Sequence, residues 1–277
     1  MALTADSPRW SPLATAALAA LVLTSSCGGD GTAPTAPEPP APPEPLDVPF
    51  GFTDVEEGEG ALVENGWLLA AAYTGWLYDP AAPDNRGLEF GSATEEAPDS
   101  FRLGVGQVIP GIDRGVAGMR VGGLRRIVIP PDLGFGPQGT NFGTTAVPGN
   151  ATLLFELALV AGAEVPFETT DLREGDGAEA TSGASLSMAY HGWVYDLMAE
   201  GNKGNTFDST TAEDPFSFTL GAGQVIAGWD VGILGMRVGG RRRIVIPHEL
   251  AYGTAGRSPQ IPPYATLLFE VELLAVE

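Results

Sequence analysis

Apolar and polar residues alternate along several short stretches of the chain, which is the pattern of β-strands. In residues 265–274, Leu267, Phe269, Val271 and Leu273 share one face, and the glutamates between them share the other. This alternation predicts an antiparallel strand with one face in the core and the other in water. Strands are also predicted in the aromatic-rich stretches 68–79 and 185–196, and at 125–130 and 242–247, where Arg-Arg-Ile-Val-Ile ends in proline.

One segment has a helical period instead. Between residues 224 and 236, apolar side chains recur at spacings of three and four, which predicts a single short helix. Several strands with one helix predict an α+β fold. The apolar positions of this helix are Val225, Ile226, Trp229, Ile233 and Met236.

The chain contains one long internal repeat. Residues 101–130 align with 218–247 at a shift of 117 positions, with 22 of 30 residues identical. The segment Ala-Thr-Leu-Leu-Phe-Glu recurs at a shift of 114, so one loop is three residues longer in the first copy. A period of about 110 residues is too long for a solenoid and indicates duplication of a whole domain. We therefore predict two tandem domains, at 50–163 and 164–277.

The N-terminus is predicted to lie outside these domains. An apolar run from Leu13 to Leu23 follows Arg9 and ends in small residues before Cys27, the single cysteine. The run is shorter than the roughly 20 residues that span a bilayer, and it is typical of a secretory signal. Cys27 resembles the acylated cysteine of the bacterial lipoprotein lipobox, although Thr24 stands where that family most often has leucine. The alternative is an ordinary signal peptide with an incidental cysteine.

We therefore predict a lipoprotein-type signal peptide at 1–26 and a linker at 27–49 that begins with the lipidated cysteine. Eight prolines between positions 34 and 49 favour an extended spacer that cannot form a core. The predicted location is the cell envelope, with the exported protein facing the periplasm or the cell surface. Only the lipid anchor is expected to contact the membrane.

Composition and charge exclude several function classes. The net charge of −21 argues against nucleic acid as a partner, because phosphate binding needs a basic patch. One cysteine and two histidines leave little material for disulfides or a metal centre. His191 and His248 are interpreted as surface histidines rather than metal ligands, and Arg241–Arg243 as a basic group for local pairing. An enzyme built from this chain must therefore work without the usual nucleophile and base pairs.

Four segments of the second repeat together resemble the FKBP-type peptidyl-prolyl cis-trans isomerases. The segments are FDST at 207–210, QVIAGWD at 224–230, AYG at 251–253 and IPPYATLLFEVELL at 261–274. The resemblance covers nearly all of both repeats. It implies a twisted antiparallel sheet wrapped around a short helix in each, with a cleft that binds a proline ring. It implies no cofactor or metal, proline-containing polypeptides as partners, and the macrolide inhibitors of the family as candidate ligands.

The resemblance also assigns roles in the second repeat. Trp229 forms the pocket floor, the Ile226 N–H and the Tyr252 hydroxyl bind a substrate carbonyl, and Asp208 is a buried polar residue beside the twisted amide. The loop at 210–215 lacks the basic residue that many family members carry, so Asp208 is expected to be less constrained. The catalytic set is Asp208, Tyr252, Tyr190, Phe207 and Phe269, and the substrate-binding set is Phe216, Val225, Ile226, Trp229 and Ile261.

The first repeat departs from this pattern. Gly91 replaces the aspartate, Asp99 stands where the second repeat has Phe216, and Phe135 lacks the tyrosine hydroxyl. An aspartate is costly in a buried aromatic wall, so this pocket is expected to be opened or rebuilt. The first-repeat equivalents, expected to be weak, are Tyr73, Phe90, Val108, Ile109, Ile112, Phe135, Val147 and Phe155.

These observations favour an envelope prolyl isomerase that assists the folding of exported proteins, with the second repeat as its main site. The first repeat is expected to be weak or to act in binding and docking. The alternative is a membrane-anchored chaperone or peptide-binding module that keeps the fold with little turnover.

Overall fold

The structure is a computed structural model, and it describes residues 44–277. The predicted signal peptide, Cys27 and most of the linker lie outside the described residues. The elements of the first repeat are β1 (Gly51–Glu56), β2 (Leu68–Tyr78), β3 (Arg86–Ala93), β4 (Asp99–Arg102), α1 (Pro110–Val116), β5 (Leu124–Ile129), β6 (Thr140–Phe142), β7 (Thr145–Val147) and β8 (Leu153–Ala163). Those of the second are β9 (Glu168–Arg173), β10 (Ser185–Tyr195), β11 (Lys203–Thr210), β12 (Phe216–Thr219), α2 (Ala227–Gly232), β13 (Arg241–Ile246) and β14 (Leu267–Val276).

Each repeat forms one antiparallel sheet, and the two sheets have the same strand order. The first runs β1-β5-β8-β2-β3, with β4 pairing β2, and the second runs β9-β13-β14-β10-β11, with β12 pairing β10. β6 and β7 form a separate hairpin in the first repeat. The α+β fold is confirmed as two sheets that each pack one short helix. The domain limits 50–163 and 164–277 stay a prediction.

The helix of each repeat packs closely against its sheet through a glycine. A Cβ atom at Gly228 would lie 2.8 Å from Cδ1 of Ile246, so only glycine allows this approach. The predicted span of 224–236 was too long, because α2 ends at Gly232 after six residues. The chain then turns at Gly235, which has a φ of +78°. Neither helix within residues 44–277 is long and apolar enough to cross a membrane.

The outer face of the second sheet differs from the prediction of a solvated strand. Glu270 is only 7% exposed, because Lys203, Arg241 and Arg243 pair with its carboxylate at 2.6–3.1 Å. Local pairing of the arginine triplet is thus confirmed. His248 is also buried rather than at the surface, at 7% exposure, while His191 stacks on the ring of Trp193 at 4.1 Å.

The two repeats pack against each other through an apolar cluster. Leu68 of the first repeat and Val165 of the connecting segment meet Val245 and Leu268, which lie on the outer face of the second sheet. All four side chains are buried. The alternating faces of β14 are therefore both covered in this region, one by the core and one by the first repeat.

Candidate functional site

In the second repeat, aromatic rings from four strands and the helix gather in one cluster. The ring of Trp229, at the start of α2, lies 4.9 Å from Tyr190 and 5.2 Å from Phe269, both nearly perpendicular to it. Phe207 packs on Phe269 at 5.4 Å and Phe216 on Tyr190 at 6.2 Å. The sequence prediction of an aromatic set therefore corresponds to one contiguous group of side chains in the structure.

This cluster is open to solvent on one side. Trp229 and Phe269 are buried at 4% each, whereas Phe216 is 36% exposed and Tyr190 and Phe207 are partly exposed. The Trp229 Nε1 atom is buried without a hydrogen-bond partner. The arrangement is an apolar surface in which two buried rings lie beneath three partly exposed ones.

Two polar groups stand at the edge of the cluster. The Tyr190 hydroxyl donates to Oδ2 of Asp208 at 2.7 Å, and Oδ1 accepts from the Ser209 N–H at 2.9 Å. Burial, reinforced by this hydrogen bond, raises the pKa of Tyr190 above its ordinary value. The hydroxyl is therefore a donor at neutral pH. Asp208 is exposed, which corrects the expectation of a buried aspartate, because its strand lies at the free edge of the sheet.

The remaining predicted residues surround the cluster. Ile261 is buried at 2%, and Val225, Ile226 and Tyr252 pack against the core while partly exposed. The Arg257 guanidinium lies 5.9 Å from the centre of the Tyr252 ring. The structure thus brings the predicted set together, while the donor roles of Tyr252 and of the Ile226 N–H stay predictions.

The corresponding positions of the first repeat form a closed core. Tyr73, Phe90, Val108 and Val147 are at most 3% exposed, and Ile109, Ile112 and Phe155 are fully buried. Phe135 is partly buried against them. The same fold therefore presents a partly exposed aromatic surface in the second repeat, whereas the equivalent side chains of the first repeat are buried in its core.

Phe142, from the β6–β7 hairpin, fills the first pocket. Its ring is 2% exposed and lies 5.3 Å from Phe90, 6.2 Å from Phe135 and 6.4 Å from Tyr73. A Cβ atom at Gly91 would lie 2.5 Å from Cδ1 of the Phe142 ring and closer still to Cε1. The replacement of aspartate by Gly91 thus makes room for the ring that fills the pocket.

Asp99 does not enter this closed core as an unpaired charge. It is partly exposed and accepts a hydrogen bond from the Tyr73 hydroxyl at 3.0 Å. Asp208 makes the same contact with Tyr190 in the second repeat. There the aspartate lies on β11, the counterpart of β3, whereas Asp99 lies on β4. Of the two expectations for this pocket, the structure shows that it is rebuilt and closed, not opened.

Sequence reasoning missed Phe142. The ring lies in the loop that is three residues longer in the first copy. The shift between the copies changes from 117 to 114 within this loop, so Phe142 has no clear counterpart in the second repeat. The available signal was the coincidence of that longer loop with the loss of the side chain at Gly91. Within residues 44–277, no three His, Cys, Asp or Glu side chains gather where they could hold a metal ion.

Comparison with known proteins matches both repeats to the same protein family. Residues 60–160 and 177–274 each match the family of FKBP-type peptidyl-prolyl cis-trans isomerases. The chain belongs to this family. Two FKBP domains thus lie in tandem, as the resemblance implied, and the enzyme class is peptidyl-prolyl cis-trans isomerase.

Relatives include both short and long FKBP proteins. An FK506-binding protein of Neisseria meningitidis is 48% identical over 107 residues, which is 38% of this chain and 92% of the relative. Human peptidyl-prolyl cis-trans isomerase FKBP9 is 32% identical over 221 residues, which is 79% of this chain and 36% of the relative. The three FKBP domains of wheat FKBP73 superpose with a TM-score of 0.41 at 24% identity, covering 82% of this chain and 94% of theirs.

Proposed function

We propose that the second repeat is the working isomerase site of this protein and that the first contributes little turnover. One observation carries this proposal: the aromatic cluster around Trp229 is open, whereas Phe142 fills its counterpart. A proline ring that enters the second pocket meets a free apolar surface. In the first pocket it must first displace a buried phenylalanine.

An open aromatic surface suits this reaction because the chemistry needs no nucleophile. Rotation about an X-Pro bond is opposed by about 18–20 kcal/mol of amide resonance. Resonance places negative charge on the carbonyl oxygen and positive charge on the nitrogen, and the twisted amide loses this separation. A dry aromatic pocket therefore favours the twisted state over the planar one, and catalysis is differential binding.

In this proposal, Trp229 is the floor on which the proline ring packs, and Tyr190, Phe207, Phe216 and Phe269 surround it. The Ile226 N–H and the Tyr252 hydroxyl hold the substrate carbonyl. The Tyr190–Asp208 hydrogen bond fixes the tyrosine ring in the wall. Val225 and Ile261 contact the residues beside proline.

An isomerisation assay on a proline peptide tests this assignment. The full chain is compared with the Asp208→Val and Tyr252→Phe variants, using protease coupling or exchange NMR. We expect a rate well above the uncatalysed one for the native chain, and lower kcat/KM for both variants. A native rate equal to the uncatalysed one would instead favour the chaperone or peptide-binding function with little turnover.

We further propose that the protein acts on exported polypeptides, held at the cell envelope by a lipid on Cys27. The short apolar run, the small residues before Cys27 and the proline-rich spacer support this location. Mass spectrometry of the membrane fraction should find acylated Cys27 at the new N-terminus, and a Cys27→Ala variant should leave that fraction. An unmodified Cys27 in the mature chain would refute the anchor.

Macrolide binding is proposed for the same pocket. The Neisseria relatives are named FK506-binding proteins, and the second repeat presents the open aromatic surface described above. FK506 should compete with the proline peptide in the isomerisation assay. Undiminished activity at saturating FK506 would contradict a shared pocket.

A further inference from the structure

A buried arginine of the first repeat lies against the second repeat. Arg102 is only 6% exposed. Its guanidinium donates to the Gly66 carbonyl within its own repeat and, at 2.7 Å, to Oγ1 of Thr266 across the interface. A buried charge needs hydrogen-bonding partners to offset the loss of water. Thr266 is one of these partners, and it belongs to the other domain.

The duplication itself shows that this contact is not a requirement of the fold. The second repeat has Thr219 where the first has Arg102, and that repeat folds with the same strand order. Conversely, Thr152 of the first repeat aligns with Thr266, and its buried Oγ1 has no hydrogen-bond partner. The arginine and its threonine acceptor therefore serve the pairing of the two repeats.

The threonine that Arg102 holds ends a loop of the proposed substrate site. This loop, residues 261–266, begins with Ile261 at the pocket and leads directly into β14. Its Tyr264 N–H donates to the Gly253 carbonyl at 3.1 Å. Gly253 follows Tyr252 in the chain, so the loop is connected to the segment that carries the proposed hydroxyl donor.

A second contact from the first repeat reaches the same loop. The Gln107 Oε1 atom accepts from the Arg102 N–H at 2.8 Å, and its Nε2 group donates to the Pro263 carbonyl at 3.5 Å. Gln107 is buried at 8%, whereas the aligned Gln224 of the second repeat is exposed. In the second repeat the Thr219 N–H donates to Oε1 of Gln224 in the same way. In the first repeat, the side chain of Gln107 reaches the loop at 261–266 of the second.

The segment before Tyr252 also lies near this arginine. Glu249 and Arg102 line the same cleft between the repeats, and the Glu249 carboxylate contacts Nε2 of His248 at 3.0 Å. The His248 ring packs on the Tyr264 ring at 5.3 Å, and the backbone carbonyl of His248 accepts a hydrogen bond from the Gly253 N–H at 2.8 Å. Arg102 therefore lies next to both segments that carry proposed substrate-binding residues: it contacts the loop at 261–266 directly, and it shares a cleft with Glu249, three residues before Tyr252.

We propose that Arg102 is a positioning residue for the isomerase site of the second repeat, and that the first repeat serves as a brace for that site. The proposal rests on the proposed function, because it assumes that Ile261 and Tyr252 bind substrate. Through Thr266, Arg102 fixes loop 261–266 and, with it, the segment at 251–253. A domain with a filled pocket thereby contributes to catalysis by its neighbour.

Two substitutions in the full chain test the proposal. Arg102→Thr introduces the residue that the second repeat carries at this position, and Thr266→Val replaces the acceptor hydroxyl with a methyl group of similar size. Thr152→Val is the matched control, since its hydroxyl has no partner. We expect both test variants to lose about tenfold in kcat/KM, mainly through a higher KM, because small displacements of binding groups are costly. The control should keep the native values.

A second readout separates positioning from simple stability. In protein labelled at isoleucine methyl groups, the Ile261 signal should shift or broaden in both test variants at temperatures where they remain folded. The Ile127 signal, from the core of the first repeat, should not change. A lower melting temperature with native KM and a native Ile261 signal would overturn the proposal and leave Arg102 a purely structural residue.

The two proposals fail in different ways. If the native chain shows no isomerase activity, the proposed function is wrong, and the Ile261 signal alone still decides whether Arg102 positions the loop. If the native chain is active and both test variants match it in KM and in the Ile261 signal, only the positioning role is wrong.

Discussion

A single methyl group added at Gly91 tests whether Phe142 closes the first pocket. In the native chain, the new Cβ atom would lie 2.5 Å from Cδ1 of Phe142, a side chain that is 2% exposed. Overpacking of this kind costs about 1–3 kcal/mol. Gly91→Ala should therefore destabilise the first repeat by roughly that amount.

The effect of Gly91→Ala on the stability of the first repeat should change sign when the Phe142 ring is removed. Phe142→Ala by itself should cost about 3–5 kcal/mol, as for other buried phenylalanines. In that background the new methyl group meets no ring, and alanine restricts the unfolded chain more than glycine does. Gly91→Ala should then stabilise the repeat by about 0.4–1 kcal/mol. The expected coupling between the two positions is thus about 1.4–4 kcal/mol.

Hydrogen exchange of the β2 and β3 amides under increasing urea measures this cycle, because it reports on the first repeat separately. Gly51→Ala in both backgrounds is the control, since a Cβ atom there meets nothing within 4 Å. An equal cost of Gly91→Ala with and without Phe142 would refute the closed pocket.

Other predictions concern single contacts. Desolvation opposes ionisation of Glu270, but hydrogen bonds from Lys203 and Arg243 outweigh it and lower its pKa. Its charge therefore stabilises the fold above the ordinary glutamate pKa of about 4.3. Glu270→Gln should cost about 1–3 kcal/mol at pH 7, and denaturation curves of variant and native chains should converge as the pH falls through the lowered value; a cost independent of pH would contradict this. Thr152→Val should be neutral or stabilise by up to about 1 kcal/mol, because it removes an unpaired buried hydroxyl, and a clear drop in melting temperature would show a missed partner. Tyr190→Phe should lower kcat/KM about tenfold, whereas Tyr73→Phe should not change it, since the hydroxyl of Tyr73 lies in the closed repeat; equal losses would show two working sites.

The sequence allowed the sheets, the duplication and the aromatic set to be predicted, because each leaves a local or repeated pattern. Alternation identified β14, and the matched segments identified the residues that form the aromatic cluster of the second repeat. Helix α2 was predicted too long because periodicity counts apolar positions and ignores the turn at Gly235. The outer face of β14 was predicted as solvated because the pairing of Glu270 with three cations, and of Leu268 with the first repeat, depends on distant segments.

Phe142 and Arg102 illustrate the same limit at the site. Each is an ordinary residue of its local stretch, a phenylalanine in a loop and an arginine at the end of a strand. Their contacts span 52 and 164 positions, to Phe90 and Thr266 respectively. Neither contact produces a periodic pattern in the sequence, and the only sequence signal of either is that the two copies differ at these positions.

The central claim is that a proline substrate enters the second pocket and not the first. Val225 and Val108 occupy the same position in the two copies, so one titration reports on both pockets in the same molecule. In full-length protein labelled at valine methyl groups, a short proline peptide should shift the Val225 signals and leave those of Val108 unchanged. Equal shifts at Val108 and Val225, at the same peptide concentration, would contradict the account.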